Sequence, residues 1–158
     1  VVKLSYFCSM KRLNLPQYTF RYKEERGKKF IFDEVRAKFV ALTPEEWVRQ
    51  NFLRFMAVQL NYPKVLTGVE KMLKVNGLSQ RCDILLYNRR GEPVLIVECK
   101  APTVPVDSKT LSQAARYNTT LKVPFLVLTN GLTHYCIKTD VETGSFEALS
   151  GFPSFQEL

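Results

Sequence analysis

Two short stretches rich in aromatic and β-branched residues, 18–22 (YTFRY) and 30–32, flank the charged segment Glu24-Glu25-Arg26-Gly27. Period-two patterning broken by a Gly-bearing turn predicts a β-hairpin, with a third strand over residues 37–42. Residues 1–17 show no period and read as irregular up to Pro16. A helix start follows. Thr43 suits the N-cap, Pro44 the first helical position, and Glu46 completes a capping box with Thr43. Val48, Phe52, Phe55, Met56 and Leu60 then recur at helical spacing, so the helix should reach about Asn61, with Pro63 beyond it.

The second half reads mainly as strands. Residues 69–75 form one, ended by Asn76-Gly77; residues 81–87 (RCDILLY) and 93–100 (PVLIVECK) form two more, joined by the NRRGE turn at 88–92. A loop with two prolines spans 101–107, and Ser108 then caps a helix to about Leu121. Residues 124–129 (PFLVLT) are a fourth strand, Asn130-Gly131 turns into a hairpin partner over 133–138, and a short strand near 146–149 can finish the sheet. Strands two to four are apolar at successive positions, which implies a central sheet covered on both faces. The fold class is therefore α/β (α+β), a central mixed β-sheet flanked by helices. Residues 1–42 are expected as an N-terminal β extension on a core of residues 43–158, one domain overall.

Composition limits the function classes. At 158 residues the chain suits one domain able to bury about 70% of its unfolded surface, so it needs neither disulfides nor metal to fold. No apolar run approaches the roughly 20 residues of a membrane span, and the first residues lack the pattern of a secretory signal. Cys8, Cys82, Cys99 and Cys136 have no CxxC spacing, which argues against zinc. Cys82 and Cys99 sit in apolar runs and read as buried thiols, which fits a reducing, cytoplasmic setting. The formal charge of +8 favours a polyanionic partner such as nucleic acid.

The candidate chemistry lies in the 81–100 hairpin. Glu98 and Lys100 are two apart and share a face, while Cys99 points the other way. If Leu85 pairs with Ile96, Asp83 stands opposite Glu98, with Cβ atoms about 4.5–5.5 Å apart. Two carboxylates that close repel each other unless neutralised, and a hard divalent cation resolves the repulsion. Such an ion activates water and stabilises a departing oxygen, and Lys100 can offset charge on a phosphate. A plain salt bridge at a strand end is the alternative for Glu98 and Lys100. The second acid-x-Lys triplet, Asp107-Ser108-Lys109, is better explained by Ser108 as a cap. His134, the only histidine, has no partners for a catalytic triad and reads as ordinary. Lys28-Lys29 and Arg89-Arg90 are turn clusters that can meet phosphates or stay solvated.

Residues 45–60, Arg81-Cys82-Asp83-Ile84, Val97-Glu98-Cys99-Lys100-Ala101-Pro102 and Gln113-Ala114-Ala115-Arg116-Tyr117 occur in that order. Together they resemble the N-terminal nuclease domain of type I restriction enzyme R subunits, a PD-(D/E)xK family, over residues 43–138. The resemblance implies a restriction-endonuclease-like core and Mg²⁺-dependent endonucleolytic cleavage of DNA, with Mn²⁺ as a substitute. It makes Asp83, Glu98 and Lys100 catalytic and Asp83 and Glu98 metal ligands. Gln113 and Tyr117 match the QxxxY element, one turn apart on a helix face that can look toward Lys100. A first-helix glutamate often joins the metal site in this class; Glu45 is preferred over Glu46, with the choice open. Cys82 replaces the motif's proline. No GxxxxGK[ST] phosphate loop is present, so the chain has no motor of its own. It reads as a stand-alone relative or a fragment, partnered by DNA, by motor and specificity subunits, or by a second copy. The contrasting reading is a nucleic-acid-binding or assembly module of the same fold without useful turnover.

Overall fold

The structure, a computed structural model, describes residues 10–158. The irregular reading of the N-terminus, and Cys8, fall in part or wholly on residues 1–9, outside the described residues; residues 10–17 hold no helix or strand.

The early hairpin forms later than its aromatic pattern suggests. β1 (Tyr22–Glu25) pairs antiparallel with β2 (Lys28–Asp33), which pairs with β3 (Lys38–Ala41), in a three-stranded sheet. Residues 18–21 lie outside it; Phe20 packs edge-on against Trp47 instead. The β1–β2 turn has Arg26 and Gly27 at φ 50° and 73°, the left-handed pair that matches the twist of two strands.

α1 (Pro44–Gln59) begins as expected, with Thr43 accepting a hydrogen bond from the Glu46 amide. Glu46 does not reciprocate as a capping-box partner: it is 6% exposed and its carboxylate is taken by Arg36, Arg49 and Gln50. Every residue from Glu46 to Leu53 is buried, polar ones included. This helix therefore has no broad solvated face near its start, and its apolar stripe accounts for only part of its contacts.

A six-stranded sheet runs in the order β4 (Thr67–Val75), β5 (Leu78–Tyr87), β6 (Pro93–Cys99), β7 (Phe125–Thr129), β8 (His134–Thr139) and β9 (Phe146–Leu149). Only β6 and β7 are parallel, and α2 (Ser108–Leu121) is the crossover between them. A parallel pair needs such a crossover, whereas the other neighbours are joined by turns. The sheet is covered on both faces, as the continuous apolar strands implied. Ile84, Leu86, Leu95, Val97, Cys99 and Val127 pack with Val48, Phe52 and Met56 of α1, and Leu85, Ile96, Leu126 and Ile137 pack with Ala115 and Leu121 of α2. The N-cap of α2 is Asp107, whose carboxylate accepts from the Thr110 amide; Ser108 is the first helical residue.

Candidate active site

The hairpin register is the one the sequence suggested, Leu85 opposite Ile96 and Ile84 opposite Val97. The ladder to β6 stops there. The ladder between β4 and β5 also breaks, because it runs from Val69–Ile84 to Lys71–Cys82 and skips Glu70 and Asp83. Glu70 has φ 53°, rare for a side chain of this kind. The alternation of β5 changes phase at this point: Cys82 packs on the α2 side of the sheet and Ile84 on the α1 side. Interrupted ladders of this sort re-aim a side chain and are common beside active sites.

As a result, Asp83 and Glu98 stand at the same end of the sheet but are held by different partners. Asp83 Oδ2 accepts from the Cys99 amide at 2.8 Å, and Oδ1 accepts from Arg49 Nη2 of α1 at 2.8 Å. Glu98 Oε1 accepts from Gln80 Nε2 at 3.0 Å, and its other oxygen lies 3.9 Å from Lys100 Nζ. The simple picture of two opposed carboxylates on one face is thus corrected by the break at Asp83. Among the described residues no group of three or more His, Cys, Asp or Glu side chains is placed to hold a metal ion.

The electrostatics still join these groups. Burial pushes the Glu98 carboxyl up from its ordinary value; Lys100 opposes the shift, while Asp83 and Glu45 add to it. Burial likewise pushes the Cys82 thiol up to about 11, with Glu98 and Asp83 adding to the effect. Glu98 therefore feels two further carboxylates with one ammonium and one amide to offset them. Arg49 in turn pairs with both Asp83 and Glu45. The hard carboxylate oxygens of Glu98 and Asp83 fit a divalent cation on the condition that Arg49 yields its hold on Asp83 Oδ1.

Glu98 and Lys100 open into a cleft of about 430 Å³ whose other polar walls include Gln80, Thr110, Gln113 and Tyr117. The two α2 residues singled out by the resemblance thus share a cavity with the hairpin pair, and Tyr117 is 43% exposed. Glu45, preferred over Glu46 for the site, lies at the surface. Its side chain is 47% exposed, and it reaches Arg49 at 3.3 Å rather than packing. Of the two first-turn acids, Glu46 is the buried one.

Several residues of the site were missed by sequence reasoning. Arg49 is 4% exposed and touches Glu45, Glu46 and Asp83, with Glu70 at 3.9 Å. Burial works to lower its pKa, but Glu46 and Asp83 hold it above the ordinary value. Arg36 extends the cluster by bonding Asp33, Glu46 and Glu70, and Arg81 also bonds Glu70. The available signal was an arginine and a glutamine inside the buried span of the first helix. Gln80 sits two residues before Cys82 and had no sequence signal beyond its place on the strand. His134 is held structurally, by Thr129 Oγ1 at 2.7 Å and the Asn14 carbonyl at 2.9 Å.

Comparison with known proteins identifies the lineage. Residues 44–153 match the family model described as type I restriction enzyme R protein N terminus. The chain belongs to that family. A fragment structure assigned to the HsdR subunit of a type I restriction enzyme from Vibrio vulnificus YJ016 is similar at 25% identity and a TM-score of 0.52. The match covers 74% of this chain and 24% of that one, so the chain spans about a quarter of its relative's length. No curated protein sequence gives a significant match. The mixed α+β architecture, with two α-helices and a mixed six-stranded sheet among the described residues, is thus the R-subunit N-terminal, nuclease-like fold. No helix among the described residues is long and apolar enough to cross a membrane.

Proposed function

We propose that this chain is a magnesium-dependent DNA endonuclease domain of a type I restriction system, working with motor and specificity subunits that lie outside it. The observation that carries the reading is the cleft. Glu98 and Lys100 at the end of an apolar strand face Gln113 and Tyr117 of the crossover helix, with Asp83 held at the same strand end. Asp83 and Glu98 would hold the cation, with Glu45 near enough to add negative charge. A bound Mg²⁺ supplies neutralisation and Lewis-acid polarisation of the scissile phosphate.

The protein's own groups do the remaining work. Lys100 presents an ammonium group, 39% exposed, to charge developing on the phosphate. Gln113 and Tyr117 supply an amide and a phenol that can hold a phosphate oxygen or a base edge. Gln80 orients the Glu98 carboxylate. Lys109 and Arg116 are exposed on α2, and Lys71 and Lys74 on β4, where they can meet the DNA backbone.

A second reading has one specific observation in its favour: both oxygens of Asp83 are already bonded within the protein. On that reading the domain binds DNA or its partner subunits without turnover. Cleavage of supercoiled and linear DNA with Mg²⁺ or Mn²⁺ separates the two, run beside Lys100→Ala and Glu98→Ala. We expect Lys100→Ala to lose cleavage by about 100-fold or more, as is typical when an electrostatic stabiliser is removed, with DNA affinity nearly kept. Equal products from wild type and both variants would favour the binding module.

A further inference from the structure

Each Asp83 oxygen already accepts one hydrogen bond within the protein, and one of the two donors is a side chain. The Cys99 amide is part of the backbone at the end of β6. Arg49 is a side chain with other acceptors: Nη1 bonds Glu46, and Glu45 Oε1 lies 3.3 Å from Nη2. The guanidinium is buried, yet its Nε has no hydrogen-bond partner. The planar fork is therefore aimed at Asp83 and Glu46 while one donor stays unsatisfied, at the desolvation cost of that donor. Glu70, opposite Asp83 in register and held in the left-handed region, is bonded by Arg36 and Arg81 and lies 3.9 Å from Arg49 Nη1. Strained backbone held by surrounding bonds is a mark of functional sites.

We propose that Arg49 is a positioning residue that competes with a divalent cation for Asp83 Oδ1, so that the Arg49–Asp83 bond sets the cation affinity of the site. The inference rests on the reading of Asp83 and Glu98 as cation ligands. In the cation-free protein Arg49 orients Asp83 and neutralises it. A cation acquires Asp83 as a ligand only by loosening that bond, and Glu46, Glu45 and Glu70 stand ready to retain the freed guanidinium.

The test uses Mg²⁺ alone, without DNA, titrated calorimetrically into the full chain as wild type, Arg49→Met, Arg49→Lys and Glu98→Gln. Arg49→Met should bind Mg²⁺ about tenfold tighter or more, because a charge-assisted hydrogen bond is worth at least the roughly 1.4 kcal/mol of one decade. Arg49→Lys, which keeps the charge but loses the fork, should fall between it and wild type. Glu98→Gln should bind weakly. Should Arg49→Met not fold, the wild type still answers: saturating Mg²⁺ should shift the Arg49 Nε–H resonance. An Arg49→Met protein with lowered melting temperature and unchanged or weaker Mg²⁺ affinity would mean a structural role only and overturn the inference. So would Glu98-dependent Mg²⁺ binding that leaves the Arg49 resonance unmoved. If neither wild type nor Arg49→Met binds Mg²⁺, the cation reading of Asp83 and Glu98 fails first, and this inference falls with it.

Discussion

Replacing Glu98 with Gln tests the cation site through stability alone, with no DNA and no turnover. Glu98 is 28% exposed in its side chain, its carboxyl is pushed up by burial and by Asp83 and Glu45, and Gln80 donates to one of its oxygens. Glutamine keeps an acceptor for Gln80 and removes the negative charge. The sign follows from the direction of the shift: a carboxyl raised on folding is less favourable ionised in the native state than in the unfolded one, so it detracts from stability near neutral pH. The cation-free Glu98→Gln protein should therefore melt at or above the wild-type temperature. Mg²⁺ should act the other way. A ligand that binds only the folded state adds about 1.4 kcal/mol at ten times its dissociation constant and about 2.7 kcal/mol at a hundred times. For a chain of 158 residues each kcal/mol moves the melting temperature by about 2–4 °C. Wild type should thus gain about 3–10 °C across that range, and Glu98→Gln less than about 1 °C. Thermal melts followed by circular dichroism, with Na⁺ at matched ionic strength as control, read this directly. Equal Mg²⁺ shifts in both proteins would refute the reasoning, as would a cation-free variant melting several degrees below wild type.

Two further predictions concern the scaffold around the site. Asp33 is fully buried and accepts from the Val35 and Arg36 amides, Arg36 Nε and Gln50 Nε2; Asp33→Asn turns a donor toward these donors and should cost about 3 kcal/mol, read by urea unfolding. Burial opposes ionisation of Asp33, but the Arg36 and Gln50 bonds hold its carboxyl below the ordinary value, so the gap between wild type and variant should shrink as pH falls through the acid range below that value. Gly131→Ala should cost about 1–3 kcal/mol or more, because φ is +82° and a Cβ would come within 2.6 Å of Leu13 Cδ2; unchanged thermal unfolding would refute it.

Much of the frame could be read from local pattern. The NRRG turn and two apolar runs led to the register that pairs Leu85 with Ile96, and helical spacing put Gln113 and Tyr117 on one face, which here lines the cleft with Glu98 and Lys100. What escaped depends on contacts between distant segments. The break at Glu70 and Asp83 has no turn residue to announce it; it is held by arginines 34 residues before Glu70 and 34 before Asp83, so strand alternation alone put the Asp83 side chain on the wrong footing. The Thr43–Glu46 spacing is that of a capping box, but three donors from two segments outcompete the Thr43 amide for the Glu46 carboxylate. Asp107 and Ser108 both suit an N-cap, and the charged acceptor, the stronger one, took the place.

The distribution of charge along α1 bears on why this network exists. A helix covered by strands needs no ions for stability, since well-packed apolar residues of similar volume serve as well or better. The C-terminal half of α1 follows that rule, with Phe52, Leu53 and Met56 buried. The first two turns do not: Glu46, Arg49 and Gln50 are buried there, and through Arg36 and Arg49 they connect Asp33 of β2 with Glu70 of β4 and Asp83 of β5. The start of α1 is covered on every side, whereas Ala57, Val58 and Gln59 near its end reach solvent, and only the start faces Asp83. The buried ions therefore lie where α1 meets the strand end that carries Asp83. Asp83 lies outside both backbone ladders, so the Arg49 fork and the Cys99 amide are what fix its carboxylate there.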